Sequence, residues 1–131
     1  MKYAYPALFK QESSGHYSVD LPDIDGCVTS GDSLPDAIEM AEDALCLMLY
    51  DMEEEGDTIP APSNIKDIPA AADELVSLVS CDTLEYRKLY SNKAVKKTLT
   101  IPAWLNTMAE RADLNFSSVL QEALKLRLDV Q

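Results

Sequence analysis

The first half of the chain alternates between apolar and polar residues in short runs, which is typical of strands with one buried face. In one such run, Tyr17, Val19 and Leu21 alternate with polar residues. Ser14-Gly15 precedes this run as a turn signal, so it is predicted to form a hairpin with the strand before it. Four strands are predicted in this half: residues 3–10, 17–21, 27–29 and 75–79.

Between the third and fourth strands the apolar residues recur every three or four positions, the period of a helix with one buried face. Ser33 followed by Asp36 predicts a capping box at its start, and Gly56 is typical of the position just past a helix end. The stripe predicted to be buried is Leu34, Ile38, Ala41, Leu45, Met48 and Met52. The proline-rich residues 57–72 are expected to form a loop. This half therefore predicts a β-β-β-α-β domain, with a helix packed on a small, mostly antiparallel sheet.

The pattern changes after residue 82. A second capping-box pattern at residues 82–85 predicts a short helix over residues 85–92. Residues 95–101 then alternate, and Pro102, which suits the first turn of a helix, ends that run. Two amphipathic helices follow, and Asn115 is placed to cap the second of them. A strand and two helices within forty residues is thus the predicted organisation of the C-terminal segment.

An isolated segment of this size cannot bury a sufficient core, and both edges of its one strand would be unpaired. Both problems disappear if two copies pair their strands antiparallel, with Val95, Leu99 and Ile101 covered by the helices. The opposite face of the ribbon stays exposed, and a two-stranded ribbon fits the DNA major groove. There lysine can donate to guanine and threonine can contact base edges, while a helix N-terminus can hold a phosphate. The candidate DNA-binding residues are Lys96, Thr98, Thr100, Asn115 and Ser117.

Charge separates the two halves. The whole chain has a formal net charge of −12, but residues 1–82 contain three Lys/Arg against 18 Asp/Glu, whereas residues 83–131 contain eight against five. An acidic surface repels phosphate and attracts basic partners. The N-terminal half is therefore expected to bind a basic protein, and nucleic-acid binding is expected only of the C-terminal half.

Composition predicts neither a metal site nor a cofactor. Cys27, Cys46 and Cys81 lack metal-site spacing, and they are expected to be free thiols of a reducing compartment. The N-terminus lacks the apolar stretch of a signal peptide, and no run is long enough to span a bilayer. A cytoplasmic protein without a membrane partner is expected. A calcium loop at residues 23–26 is disfavoured because the ligand positions of that loop type do not match.

Two sequence motifs carry a family resemblance. Residues 95–128, with the strand ending in Ile-Pro and the helix FSSVLQEAL, resemble a ribbon-helix-helix module of the MetJ/Arc kind. Residues 1–63, with YSVDLPDIDGCVTSGDS before an acidic helix and IPAPS after it, resemble the HicB antitoxin domain. The resemblance implies an α+β chain with a partial RNase-H-like fold at its N-terminus. It also implies a HicA toxin partner, a small basic ribonuclease whose active site the antitoxin covers, and autorepression at the operon's own operator.

The resemblance assigns the base-reading face to Lys96, Thr98 and Thr100, and the phosphate contacts to Asn115 and Ser117. Three parts are expected: a toxin-neutralising domain over residues 1–82, a basic helical linker over 83–94 and a ribbon-helix-helix DNA-binding domain over 95–131 that forms the homodimer. The residues leave two alternatives open. One is a protein-only binding module, in which the polar strand face is merely solvated. The other is a metal-dependent RNase-H-like nuclease that would use Asp20, Asp23, Asp25 and Asp32. The chain is expected to be an inhibitor without enzymatic activity.

Overall fold

The computed structural model describes residues 1–91 and 93–131 and divides the chain into two compact units, Met1–Lys93 and Ala94–Gln131. In the first unit all neighbouring strands are antiparallel, in the order β3-β2-β1-β4. Its elements are β1 Lys2–Gln11, β2 Tyr17–Asp20, β3 Val28–Gly31, α1 Leu34–Glu55, a 3-10 turn Ile65–Asp67, β4 Glu74–Asp82 and α2 Thr83–Tyr90. The predicted α+β class is confirmed, as a sheet combined with helices.

The core of the first unit lies between α1 and one face of the sheet. Alternate residues of β1 face the helix, among them Tyr5 and Phe9, and they are joined by Val19 of β2 and Val79 of β4. Burying side chains of this size stabilises the unit by about 1.5–3 kcal/mol each. The residues that α1 buries are Ala37, Ala41, Leu45 and Leu49.

The helix is rotated slightly from the predicted stripe. Ala41 and Leu45 are buried as expected, but Ile38 is 39% exposed and Leu49, which the prediction left out, is fully buried. The buried row has a spacing of four residues and begins with alanine, so the backbone of α1 can approach the sheet closely at that end. The prediction gave weight to large apolar side chains and therefore placed the contact face too far towards Ile38.

The cysteines do not all remain free. Cys46 of α1 and Cys81 of β4 form a disulfide with their Cα atoms 5.4 Å apart, so the expectation of three free thiols is wrong. A cross-link closing a loop of this length typically stabilises a fold by about 2–4 kcal/mol. Cys27 is free and buried, and burial raises the pKa of its thiol. The pairing could not be read from sequence because 35 residues separate the two cysteines.

The second unit contains two helices, α3 Ala103–Arg111 and α4 Phe116–Leu128. Pro102 is the N-cap of α3, and the Asn115 side chain caps α4 as predicted. Residues 94–102 form neither helix nor strand in the single chain, so the strand predicted at residues 95–101 is absent from it. A strand needs a hydrogen-bonded neighbour, and the prediction placed that neighbour on a second copy of the chain. Within the described residues, no helix is long and apolar enough to cross a membrane.

Candidate functional site

The second unit leaves its apolar side chains uncovered. None of the residues it contributes is buried, and thirteen of its large apolar side chains are at least 36% accessible. Exposed apolar patches of this extent mark interaction surfaces in soluble proteins. The set is Val95, Leu99, Ile101, Trp104, Leu105, Met108, Leu114, Phe116, Val119, Leu120, Leu124, Leu126 and Leu128. The unit therefore presents an uncovered apolar surface of the kind that interaction partners cover.

The five predicted DNA-binding residues all lie in this unit and are all exposed. Lys96, Thr98 and Thr100 lie in the segment without regular structure. Asn115 accepts a hydrogen bond from the Ser118 N–H at 3.0 Å, and the Ser117 hydroxyl accepts one from the side chain of Gln121 at 3.1 Å. Asn115 thus shapes the N-terminus of α4 by capping it, while Lys96, Thr98 and Thr100 belong to no strand of the single chain. Their role in DNA binding stays a prediction.

The first unit contains a polar network that joins α2 to α1. Glu53 of α1 accepts hydrogen bonds from the Tyr3 hydroxyl at 2.8 Å, from the Thr83 hydroxyl at 3.1 Å and from the Arg87 guanidinium at 3.1 Å. Arg87 also pairs with Glu54. Sequence reasoning placed Arg87 in a linker, and in the structure its guanidinium contacts Glu53 and Glu54 of α1. The signal that was missed is the turn of basic and aromatic residues directly after the buried Thr83.

The network shifts two pKa values. Burial would raise the pKa of Glu53, but the hydrogen bonds from Tyr3, Thr83 and Arg87 outweigh burial and lower it below 4.5. Burial, and next the bond to Glu53, raise the pKa of Tyr3 to about 12. Because the folded pKa of Glu53 is depressed, its contribution to stability is present above pH 4.5 and is lost as the pH falls through the folded pKa.

Replacing Glu53→Gln is expected to lower the free energy of unfolding by about 2 kcal/mol at pH 7, because hydrogen bonds to a charged acceptor are weakened. The deficit should shrink as the pH falls below 4.5 and through the lower folded pKa, because the wild-type carboxylate then becomes protonated as well. Urea unfolding at pH 7 and at pH 3.5 measures both values. Glu55→Gln, which removes a charge from an exposed position of the same helix turn, is the control. An equal deficit at both pH values would contradict the role given to the charge.

The aspartates of the nuclease alternative are not arranged as one centre. Asp23 accepts hydrogen bonds from the Ser63 N–H at 2.8 Å and from the Ser63 hydroxyl at 2.5 Å, so it holds the loop after α1 against the bend before β3. Asp20 is exposed at the end of β2, and Asp25 and Asp32 are exposed in turns. Across residues 1–91 and 93–131, no group of three His, Cys, Asp or Glu side chains is placed to hold a metal ion.

Comparisons with known proteins agree on one family. The family model described as the HicB-like antitoxin of bacterial toxin–antitoxin systems matches residues 5–123. Antitoxin HicB 1 of Photorhabdus laumondii subsp. laumondii is 30% identical over 100 residues, which are 71% of this chain and 64% of that protein.

Solved structures give the same result. A chain of a toxin–antitoxin complex from Streptococcus pneumoniae is 31% identical, with a TM-score of 0.60 over 97% of this chain and 99% of that one. The N-terminal domain of the Burkholderia pseudomallei antitoxin HicB is 25% identical, with a TM-score of 0.55 over 61% of this chain and 99% of that domain. The family match spans both units. The chain belongs to the HicB-like antitoxin family of bacterial toxin–antitoxin systems.

Proposed function

We propose that this chain neutralises a HicA-type ribonuclease toxin by covering its active site, and that it represses its own operon by binding operator DNA as a homodimer. The observation that carries the proposal is the match to the HicB-like antitoxin family over residues 5–123. In this proposal the first unit is a partial RNase-H-like domain that binds the toxin, and the second is a ribbon-helix-helix module. Occlusion requires no chemistry from the chain itself, so the chain acts as an inhibitor and not as an enzyme.

The charge of the first unit supports a basic toxin as its partner. Residues 1–93 carry six Lys/Arg against 19 Asp/Glu. Complementary charge raises the rate of association and disfavours partners of the same sign. A toxin that binds messenger RNA must present positive charge at its active site, so an acidic antitoxin domain can occupy the surface that the RNA would use.

The uncovered apolar side chains of the second unit support the homodimer. A second copy would supply the strand partner that residues 95–101 lack, and the helices of both copies would close over the apolar face of the resulting ribbon. The opposite face would place Lys96, Thr98 and Thr100 in the major groove, and the α4 N-terminus, near Asn115 and Ser117, would approach a phosphate. With a single long basic side chain on the reading face, part of the specificity would come from DNA shape.

Operator binding tests the DNA part of the proposal. The full-length chain should bind DNA from its own promoter with an affinity that falls steeply as salt rises, because phosphate contacts release counterions. Lys96→Ala should weaken binding about tenfold, from the loss of one base or phosphate contact. Fluorescence anisotropy titrations at salt concentrations from about 50 mM to about 300 mM measure both effects.

Lys66→Ala is the matched control, since Lys66 is an exposed lysine of the first unit, and it should leave operator affinity unchanged. Binding that is insensitive to salt and to Lys96→Ala would indicate a protein-only module instead. The toxin part is tested by co-expression with the product of the adjacent gene, which the proposal expects to be a small basic protein. Purified complex should not cleave messenger RNA, whereas that protein alone should.

A further inference from the structure

An open groove runs between α1 and α2 on the surface of the first unit. Its volume is about 320 Å³. Although α1 is an acidic helix, the groove floor is apolar and aromatic. The lining residues are Thr29, Met40, Asp43, Ala44, Leu47, Tyr86 and Tyr90. It lies entirely within the unit whose charge favours a basic partner.

Apolar side chains are exposed in this groove where a solvated helix would carry polar ones. Met40 and Leu47 are seven residues apart and therefore lie two turns apart on one face of α1, with 40% and 49% of their surfaces accessible. Tyr90 of α2 faces solvent with 68% of its surface accessible. Such side chains are the kind that become anchors when a partner covers them.

Tyr86 and Tyr90, which line the groove, belong to a row of three tyrosines that continues to Tyr50. The ring centroids of Tyr50 and Tyr86 are 5.3 Å apart, and those of Tyr86 and Tyr90 are 4.5 Å apart. At the Tyr50 end, the guanidinium of Arg87 lies 4.7 Å from the ring centroid and also pairs with Glu54. The chain thus already binds one arginine with a tyrosine ring and a carboxylate. This combination suits a guanidinium because the aromatic face and the carboxylate both attract it.

The Tyr90 end of the row also offers a tyrosine ring and a carboxylate. No arginine of this chain is among the described residues that line the groove there. Tyr90 supplies an exposed ring, and Asp43 supplies an exposed carboxylate. Burial, Tyr90 and then the charges of Asp51 and Asp43 raise the pKa of Tyr86, so the Asp43 carboxylate in the groove acts on this tyrosine. A phosphate-bearing ligand would be repelled here, whereas a cationic side chain would be attracted.

We propose that the groove between α1 and α2 binds an arginine-bearing segment of the basic toxin, with Met40 and Leu47 contacting its apolar side chains and Tyr90 and Asp43 holding the guanidinium. This inference rests on the proposed function, because it takes the toxin as the occupant. It makes α2 part of the toxin-binding surface instead of a linker between two activities.

Affinity between the full-length chain and the small basic protein encoded beside it tests the groove. Leu47→Ala and Tyr90→Ala should each weaken binding at least tenfold, and Tyr90→Phe should retain most of it because the ring is kept. Asp43→Asn should slow association and reduce its salt dependence, since the remaining contacts are unchanged. Isothermal titration and stopped-flow mixing measure these quantities, and thermal unfolding verifies that each variant is folded.

Matched controls are available within the same unit. Leu78→Ala removes a slightly more exposed leucine from β4, and Asp67→Asn removes an exposed charge from the 3-10 turn. Both should keep affinity within twofold. If the wild-type chain binds the toxin and the groove variants bind equally well, the groove inference is wrong while the antitoxin function stands. If the wild-type chain does not bind the basic protein, the proposed function fails and the groove inference fails with it.

Discussion

Removing residues 94–131 is expected to abolish operator binding and dimerisation, while toxin affinity stays within about twofold of the full-length value. The reason is that the first unit has its own core of sheet and helix, whereas every candidate DNA contact lies in the second. Two half-sites joined in one dimer also bind far more tightly than two separate ones, so loss of the dimer alone should remove measurable binding. Light scattering, operator titration and toxin titration of the truncated chain measure the three properties.

A point variant distinguishes the effect of losing the dimer from the effect of losing the whole second unit. Leu120→Asp places a charge in the apolar stripe of α4 and should make the full-length chain monomeric, because an unpaired carboxylate cannot be buried without a large penalty. Ser118→Asp adds the same charge on the opposite side of that helix and should leave the dimer intact. A dimer that survives both Leu120→Asp and the truncation would locate the interface in the first unit and contradict the ribbon-helix-helix proposal.

Much of the first unit could be predicted because its local patterns agree with its fold. The alternation in β2 and the period of α1 follow directly from which side chains face the core. As expected, the Ser33 hydroxyl oxygen caps α1 by accepting a hydrogen bond from the Asp36 N–H at 3.3 Å. The returning bond of the capping box differs, because the Asp36 carboxylate accepts from the Asp32 N–H and not from the Ser33 N–H. What local pattern could not supply was long-range pairing. The bond between Cys46 and Cys81 joins residues far apart in sequence, and so does the Arg87–Glu53 contact.

The second unit shows the opposite case. Its helices were predictable from spacing and capping, and both α3 and α4 are present. The alternating run at residues 95–101 carries the pattern of a strand, but one chain provides no neighbour for it to pair with. In the proposed dimer, Lys96, Thr98 and Thr100 would acquire the geometry of a strand only when two copies pair. Under the proposed dimer, the sequence pattern and the single-chain structure differ here because the pattern describes an assembly of two copies.

The motif that carried the family resemblance contains a glycine with a steric role. Gly31 ends β3 and is buried against the first turn of α1. A Cβ atom at this position would lie 2.6 Å from the Cα atom of Ala37 and 2.8 Å from the carbonyl carbon of Asp36. Both are backbone atoms of a helix held by the core, so neither can move aside as a flexible side chain could. The glycine allows β3 and α1 to approach each other closely, and Thr29 of the same strand lines the groove.

Replacing Gly31→Ala is therefore expected to lower the free energy of unfolding of the first unit by about 3 kcal/mol, the upper part of the usual range for overpacking. For a unit of this size, that loss corresponds to a fall in Tm of more than about 10 °C. Toxin affinity should fall as well, since α1 must shift away from β3 and the groove shifts with it. Calorimetry and toxin titration measure the two effects. Ser30→Ala, which introduces alanine at the neighbouring exposed position, should alter neither the stability nor the toxin affinity. A Gly31→Ala chain as stable as wild type would show that α1 can move away from β3 without loss of stability. The close approach of β3 and α1 would then not determine the shape of the groove.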